Sequence, residues 1–288
     1  MTKFAIIGPG AVGSTIAFEL QQHFSDTLLL GRQNSTLSYY PGNHTPMHQL
    51  QVQSLATTST KVDVLFVAVK TYQLDTIIDD IKRITHQDSI IVLAQNGRTN
   101  IESLALPNVY QAVVYISGQK EQNTVTHFRD ERLHVQDSPE TRDLAQLLAP
   151  TNLDLKLEQH IADTIWYKLL VNLGINTVTA LTRSTAKVLK DDKVNHLCRQ
   201  LIDEGAQIAL AEGVNLPKDI VTQIMTIYEG YPDEMGTSMY YDISAGRPLE
   251  VEAIQGYIYR TGQKHNLAIP TITTTYTLLH GYLHTKKS

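Results

Sequence analysis

Eight residues into the chain, a short apolar run ends in Gly8-Pro9-Gly10-Ala11-Val12-Gly13. This G-x-G-x-x-G hexapeptide constrains the fold more than any other feature, because glycines at that spacing serve one kind of connection. Gly8 permits a tight turn, Gly10 lets backbone approach a pyrophosphate, and Gly13 lets the following helix lie close on a strand. That helix then offers free N–H groups and the positive end of its dipole to phosphate. Alone the hexapeptide is a weak signal, and a tight turn that binds nothing is the bland alternative. Here Lys3–Ile7 reads as a buried strand before it, Ala11–Gln22 as a helix after it, and Thr27–Leu30 as a second strand. In that context the turn reads as a dinucleotide site.

The end of the second strand discriminates between nicotinamide cofactors. An NAD site usually carries Asp or Glu there for the ribose hydroxyls. This chain has Leu30-Gly31-Arg32-Gln33-Asn34-Ser35, with no acid. The Arg32 guanidinium can pair with a 2′-phosphate and stack on adenine. NADP(H) is therefore preferred, with a solvated loop cation as the alternative.

Further buried strands are expected at Val62–Val69 and Ser89–Leu93, with a helical pattern at Leu74–Arg83 between them. Strand–helix–strand alternation implies a parallel sheet covered on both faces. After Asn96-Gly97, strands are expected at Val109–Ile116, Thr124–Phe128 and Arg132–Gln136, partly antiparallel, and a helix at Thr141–Leu148. From Ile161 helical patterns take over: Ile161–Thr182, Asn195–Glu212, Pro217–Tyr228, Leu249–His265 and a last one after Pro270. The expected organisation is an α/β domain over residues 1–158 and an all-helical domain over 159–288. Leu37–His48, with Tyr39, Tyr40, Pro41, Gly42 and Pro46, reads as an irregular connection with no assignable mechanism.

Composition excludes several classes. With 288 residues, 24 Lys+Arg against 29 Asp+Glu and no dense basic block, the chain lacks a nucleic-acid footprint. Its single cysteine, Cys198, forms no internal disulfide and reads as core. No apolar run approaches the ~20 residues that cross a bilayer, and the N-terminus reaches glycine too soon for a signal peptide. A cytoplasmic setting is expected. His44/His48 and His280/His284 are each four apart, but no third ligand stands at metal-site spacing. No metal is expected. Glu19 and Asp26 have no inferable partner, Trp166 and Tyr167 read as packing anchors, and the Lys286-Lys287 tail is too short for membrane binding.

Two later segments carry chemistry. Lys168, Asn172 and Asn176 are spaced i, i+4, i+8 in Ile165–Asn176, drifting only ~40° per step, so they share one helix face. Their apolar surroundings imply burial, which costs several kcal/mol unless such groups are paired. A polar seam between helices and a line of donors facing a ligand are both open. The second segment runs Gly236-Thr237-Ser238-Met239-Tyr240-Tyr241-Asp242, then a turn at Ser244–Pro248, then Glu250 in the first turn of the next helix. Ser238 and Asp242 are again four apart. The bland account of Glu250 is helix-dipole compensation at a surface.

Together with Val69-Lys70-Thr71-Tyr72-Gln73 and Gln95-Asn96-Gly97, these motifs resemble, over nearly the whole chain, the ketopantoate reductase (2-dehydropantoate 2-reductase) family. The resemblance implies a Rossmann-type N-terminal domain, a helical C-terminal domain, and a cleft where NADPH meets a 2-keto acid. By the family's pattern Lys168 matches the catalytic lysine, and Glu250 a glutamate that touches cofactor and substrate. Asn172, Asn176, Ser238 and Asp242 fall on the substrate side. Lys70, Asn96 and Ser117 match cofactor contacts, beside Gly8, Pro9, Gly10, Ala11, Val12, Gly13 and Arg32. The family also implies reduction of ketopantoate to (R)-pantoate for pantothenate and coenzyme A synthesis, and a homodimer. The chemistry agrees: hydride delivered to a ketone leaves charge on oxygen, which a cationic proton donor stabilises. An ordinary lysine, with a pKa of about 10.4, is charged at neutral pH. One departure stands out. Where the family commonly carries a Pro-Asn-Gly-Glu-Leu-like stretch, this chain has Thr182-Arg183-Ser184-Thr185-Ala186-Lys187-Val188-Leu189. The missing amide near Ala186 leaves hydride chemistry intact and opens the substrate to other 2-keto acids. A non-catalytic NADP(H) sensor is the alternative from another class.

Overall fold

The computed structural model of the chain describes residues 2–42, 45–99 and 101–285. The chain divides into two compact units, Met1–Ile161 and Ala162–Ser288.

The first unit begins with β1 (Phe4–Ile7), α1 (Ala11–Gln21) and β2 (Leu28–Gly31), followed by β3 (Ser35–Tyr40) and β4 (His48–Ser54). The chain then crosses to the other side of β1 for β5 (Val62–Val67). A 3₁₀ stretch, Thr71–Ile77, runs into α2 (Ile78–Ile84) and on to β6 (Thr85–Leu93) and β7 (Val109–Gln111). β8 (Val113–Val114), β9 (Ser117–Glu121), β10 (Thr124–Arg129), β11 (Arg132–Gln136), α3 (Pro139–Leu148) and β12 (Asp154–Glu158) complete it. The larger sheet has the order β7-β6-β5-β1-β2-β4-β3-β10-β9, and a smaller one the order β12-β11-β8. β7, β6, β5, β1, β2 and β4 run parallel, whereas β3 is antiparallel to β4 and β9 to β10.

Alternation along β1 explains the two-sided core. Phe4 and Ile6 pack with Ile16, Leu20, Phe66 and Leu144 on one face, and Ala5 and Ile7 with Leu65, Leu74 and Ile81 on the other. Strands buried on both faces read as unbroken apolar runs, which is why β1, β2, β5 and β6 were visible in sequence. Leu37–His48 is corrected: Leu37–Tyr40 belongs to β3 and His48 opens β4, paired across the hairpin as Tyr39↔His48. Tyr39 is fully buried and donates its hydroxyl to Thr15 Oγ1 at 3.1 Å, so this hairpin is bolted to α1. Glu19 also gains a partner, accepting from Asn152 Nδ2 at 2.9 Å, and burial holds its pKa above the ordinary carboxylate value. β9 and β12 were not anticipated, since Ser117–Glu121 and Asp154–Glu158 are polar and short.

The second unit contains α4 (Ile161–Thr182, whose first residue lies in the first unit), α5 (Asp192–Ala211), α6 (Ile220–Glu229) and α7 (Ser238–Ser244). After a 3₁₀ turn, Val251–Ala253, it ends with α8 (Gln255–Lys264) and α9 (Pro270–Thr285). α4 is largely buried, and Gly174 lets its neighbours close in. A Cβ there would meet the Tyr228 hydroxyl at 2.7 Å and Cys198 Sγ at 3.0 Å. The Tyr228 hydroxyl donates to the Val171 carbonyl at 2.6 Å and accepts from Ile175 N–H at 3.3 Å. Cys198 is fully buried and its thiol is pushed up to about 12, which makes it core. No helix among the described residues is long and apolar enough to cross a membrane.

Candidate active site

In the first unit the candidate cofactor residues collect at the carboxyl ends of parallel strands. Gly8 follows β1, Arg32 follows β2, Lys70 follows β5 and Asn96 follows β6. The chain leaves β1 towards β2 and later returns beside β1 as β5, so β1 and β5 flank the topological switch point. Open α/β sheets bind ligands at such a point. The ladder continues past the strand ends: Gly8 N–H donates to Leu30 O at 2.9 Å, Ala68 N–H to Ile7 O at 2.7 Å, and Ala94 N–H to Val67 O at 2.9 Å.

The three glycines of the turn separate by what surrounds them. Gly8 has φ +108°, and a Cβ there would lie 2.7 Å from the Ala68 carbonyl carbon. Gly13 is closer still, since a Cβ would stand 2.1 Å from the Gly8 carbonyl oxygen and 3.1 Å from Ile6 Cγ2. Gly10 is the opposite case: nothing lies within 4 Å of where its Cβ would be. Gly10 is also the N-cap of α1, with no side-chain cap and no acid in the first turn. Gly8 and Gly13 are thus required by packing, whereas Gly10 leaves open space in front of an uncapped helix end. That combination fits a dinucleotide pyrophosphate.

The remaining residues frame this end of the sheet. Arg32 is exposed. Two residues beyond it begins a polar hollow of about 710 Å³, lined by residues that include Asn34, Ser35, Gln51 and Thr57. The Lys70 and Asn96 loops are tied together by Gln95, whose Nε2 donates to Val69 O at 2.8 Å. Gly97 holds the second loop in a left-handed turn, φ +84°, and its carbonyl accepts from Gln111 Nε2 at 2.7 Å. Ser117 opens β9 one residue before Gly118, which packs on Ala11. Lys120, on the same strand, reaches the turn itself by donating to Pro9 O at 2.7 Å. No local pattern announces Lys120, because its partner lies 111 positions away.

In the second unit Lys168, Asn172 and Asn176 all lie on α4, as the spacing requires. Burial is uneven along them. Asn176 is 4% exposed, but Lys168 and Asn172 are partly exposed. This corrects the expectation of a buried lysine: the apolar helix leaves one flank open at its N-terminal half, where a charge can stay hydrated. Ser238 is the exposed first residue of α7. Thr237, its N-cap, accepts from Tyr240 N–H at 3.1 Å and shares a 2.8 Å hydrogen bond with Thr179 Oγ1 on α4. The bridge fixes the start of α7 against the turn of α4 that follows Asn176. A threonine before a short helix is an ordinary cap signal, but a seven-residue helix is too short to declare itself by periodicity. Asp242 is buried and accepts from Arg247 Nε at 2.8 Å, closing the turn beyond α7. Glu250 is 4% exposed and precedes the 3₁₀ turn Val251–Ala253 without capping it. It is neither on the surface nor inside a helix, so dipole compensation does not explain it.

Arg183–Lys190 departs from α4 with Arg183 at φ +50° and forms a 3₁₀ turn at Ala186–Lys190. Ala186 N–H donates to Met235 O at 2.9 Å, so this segment lies against the approach to Ser238. Among the described residues no group of three or more His, Cys, Asp or Glu is gathered to hold a metal ion. His44, the side chain of His284 and Lys286-Lys287 lie outside the described residues.

Comparison with known proteins covers both units. The model of "Ketopantoate reductase PanE/ApbA" matches residues 4–140, and that of "Ketopantoate reductase PanE/ApbA C terminal" matches residues 160–283. A 2-dehydropantoate 2-reductase of Mycobacterium tuberculosis is 31% identical over 93% of this chain and 94% of its own. The structure of a dimeric ketopantoate reductase from Staphylococcus aureus is 50% identical, with a TM-score of 0.96 over 99% of both chains. A D-mandelate dehydrogenase solved with NADH and anilino(oxo)acetate shares the fold, at 21% identity and a TM-score of 0.86.

Proposed function

The chain belongs to the ketopantoate reductase family, and on that premise we propose that it reduces 2-dehydropantoate to (R)-pantoate with NADPH. The observation that carries this reading is Lys168 on α4, partly exposed and in line with Asn172 and Asn176, in a chain whose other unit holds the open Gly10 turn. NADPH, when bound, supplies the hydride for the keto carbon.

The chain's own residues do the rest. The first unit binds the dinucleotide through Gly8–Gly13, with Lys70, Asn96 and Ser117 around it. Arg32 takes the 2′-phosphate, a role favoured by the absence of any acid after β2. The helical unit takes the keto acid. Asn172 and Asn176 orient it by neutral hydrogen bonds, Ser238 receives its carboxylate, and Asp242 holds the turn behind. Lys168 Nζ donates a proton to the carbonyl oxygen as negative charge develops there. Glu250, buried and spent on no helix end, keeps Lys168 charged, since an opposite charge favours the ionised form. The protein works as a homodimer in the cytoplasm, in pantothenate and coenzyme A synthesis. Sedimentation should give twice the 32.2 kDa chain mass; a monomer would contradict the dimer.

A second reading rests on Arg183–Lys190, which stands beside the approach to Ser238 where the family's amide is missing. On that reading the same chemistry serves another branched or aromatic 2-keto acid. NADPH consumption with a panel of 2-keto acids separates the two. Turnover of ketopantoate well above the others supports the first. Turnover confined to other acids supports the second, and NADPH binding without any turnover would leave a sensor.

A further inference from the structure

The hairpin of β9 and β10 is joined to the phosphate turn by one side chain. Lys120 Nζ donates to the Pro9 carbonyl at 2.7 Å. Gly118 lies two residues earlier, on the same face of β9. Its missing Cβ would stand 3.3 Å from Ala11 Cβ and 2.7 Å from the Thr126 carbonyl oxygen. A larger residue at 118 would collide first with the β10 backbone and also crowd Ala11, so glycine lets β9 lie close to both its partner strand and α1.

Lys120 is a half-buried cation with no carboxylate among the described residues shown to balance it. β10 places Val125 opposite, with His127 and Arg129 farther along the strand. Glu121 beside it accepts from Gln119 Nε2 at 2.8 Å, and Glu19, the acid of α1, accepts from Asn152. Burial lowers the Lys120 pKa. Holding an ammonium against a neutral carbonyl costs free energy, and a bound anion in front of α1 offsets that cost.

We propose that Lys120 belongs to the dinucleotide site: it fixes the Gly8–Gly13 turn through Pro9 and supplies the positive charge that the pyrophosphate meets there. The assignment rests on the reading above that this turn takes NADPH. It adds a cation from an edge strand to the contacts that follow β1, β2, β5 and β6.

The test titrates NADPH and reduced nicotinamide mononucleotide, which lacks the pyrophosphate, into the full chain and three variants. Lys120→Arg keeps the charge, Lys120→Gln keeps a donor without charge, and Lys120→Met keeps neither. Lys120→Met and Lys120→Gln should each weaken NADPH by about tenfold or more, the size of a hydrogen bond to a charged group. Lys120→Arg should stay within about twofold of wild type, and the salt dependence of binding should flatten only in the uncharged variants. The mononucleotide should lose little in any variant, and kcat at saturating NADPH and the KM for keto acid should not move. NADPH affinity in Lys120→Gln equal to wild type would overturn the charge role. Equal losses for both nucleotides, with a fall in kcat and in unfolding temperature, would reduce Lys120 to a structural prop and overturn the assignment. Failure of the wild-type protein to bind NADPH would instead sink the functional reading on which it rests.

Discussion

Among single residues, the candidate site depends on which charges are absent as much as on which are present. Arg32 is selected because no acid follows β2, and the structure leaves it exposed beside a hollow lined with hydroxyls and amides. Arg32→Ala should raise the KM for NADPH by about tenfold or more, the scale of a charge-assisted hydrogen bond. The KM for NADH should change little, and equal changes for both would contradict a 2′-phosphate role. Lys168, Asn172 and Asn176 were legible from spacing, because a period of 3.6 residues fixes a shared face whatever surrounds it. Their burial was not legible. Mean apolarity around α4 suggested a sealed helix, whereas Lys168 and Asn172 keep access to solvent. Lys120 was invisible because packing of β9 on the start of α1, between residues 111 positions apart, brings it to Pro9.

Among elements, the phosphate turn shows how one motif combines two physical demands. Gly13 is there for packing, with the Gly8 carbonyl only 2.1 Å from where a Cβ would stand. Gly10 meets no such contact, since the protein leaves its Cβ position empty, as the proposed pyrophosphate site requires. Gly13→Ala should therefore destabilise the protein by about 1–3 kcal/mol through overpacking, read as a lower unfolding midpoint without ligand. Gly10→Ala, at a φ of −92° that alanine adopts freely, should leave the midpoint unchanged and weaken NADPH binding. The reverse pattern would contradict the assignment of roles. β1, β2, β5, β6 and α4 were readable because each carries a concentrated run of apolar residues. β3, β9, β12 and α7 were not: they are short or polar, and partners distant in sequence decide them. β3 illustrates this, for Tyr39 is buried by α1 and by its pairing with His48.

For the whole molecule, the proposed chemistry is divided between two units: the first presents an uncapped helix end at a sheet's switch point, the second a line of side chains on α4. The net charge of −5 says nothing of this, although the proposed ligands are anions. Placement at Arg32, Lys70, Lys120 and Lys168 matters more than the total. Substrate identity was the least legible property, because the proposed alternative turns on Arg183–Lys190, a short segment held by backbone bonds to residues 233–235. The proposed reduction depends most directly on Lys168 as the proton donor. Steady-state turnover of ketopantoate with NADPH should therefore be measured for wild type and Lys168→Ala, with NADPH affinity titrated in parallel. A kcat lower by about 10²–10⁴-fold, with NADPH affinity unchanged, is the predicted result. A variant that turns over at the wild-type rate would contradict it.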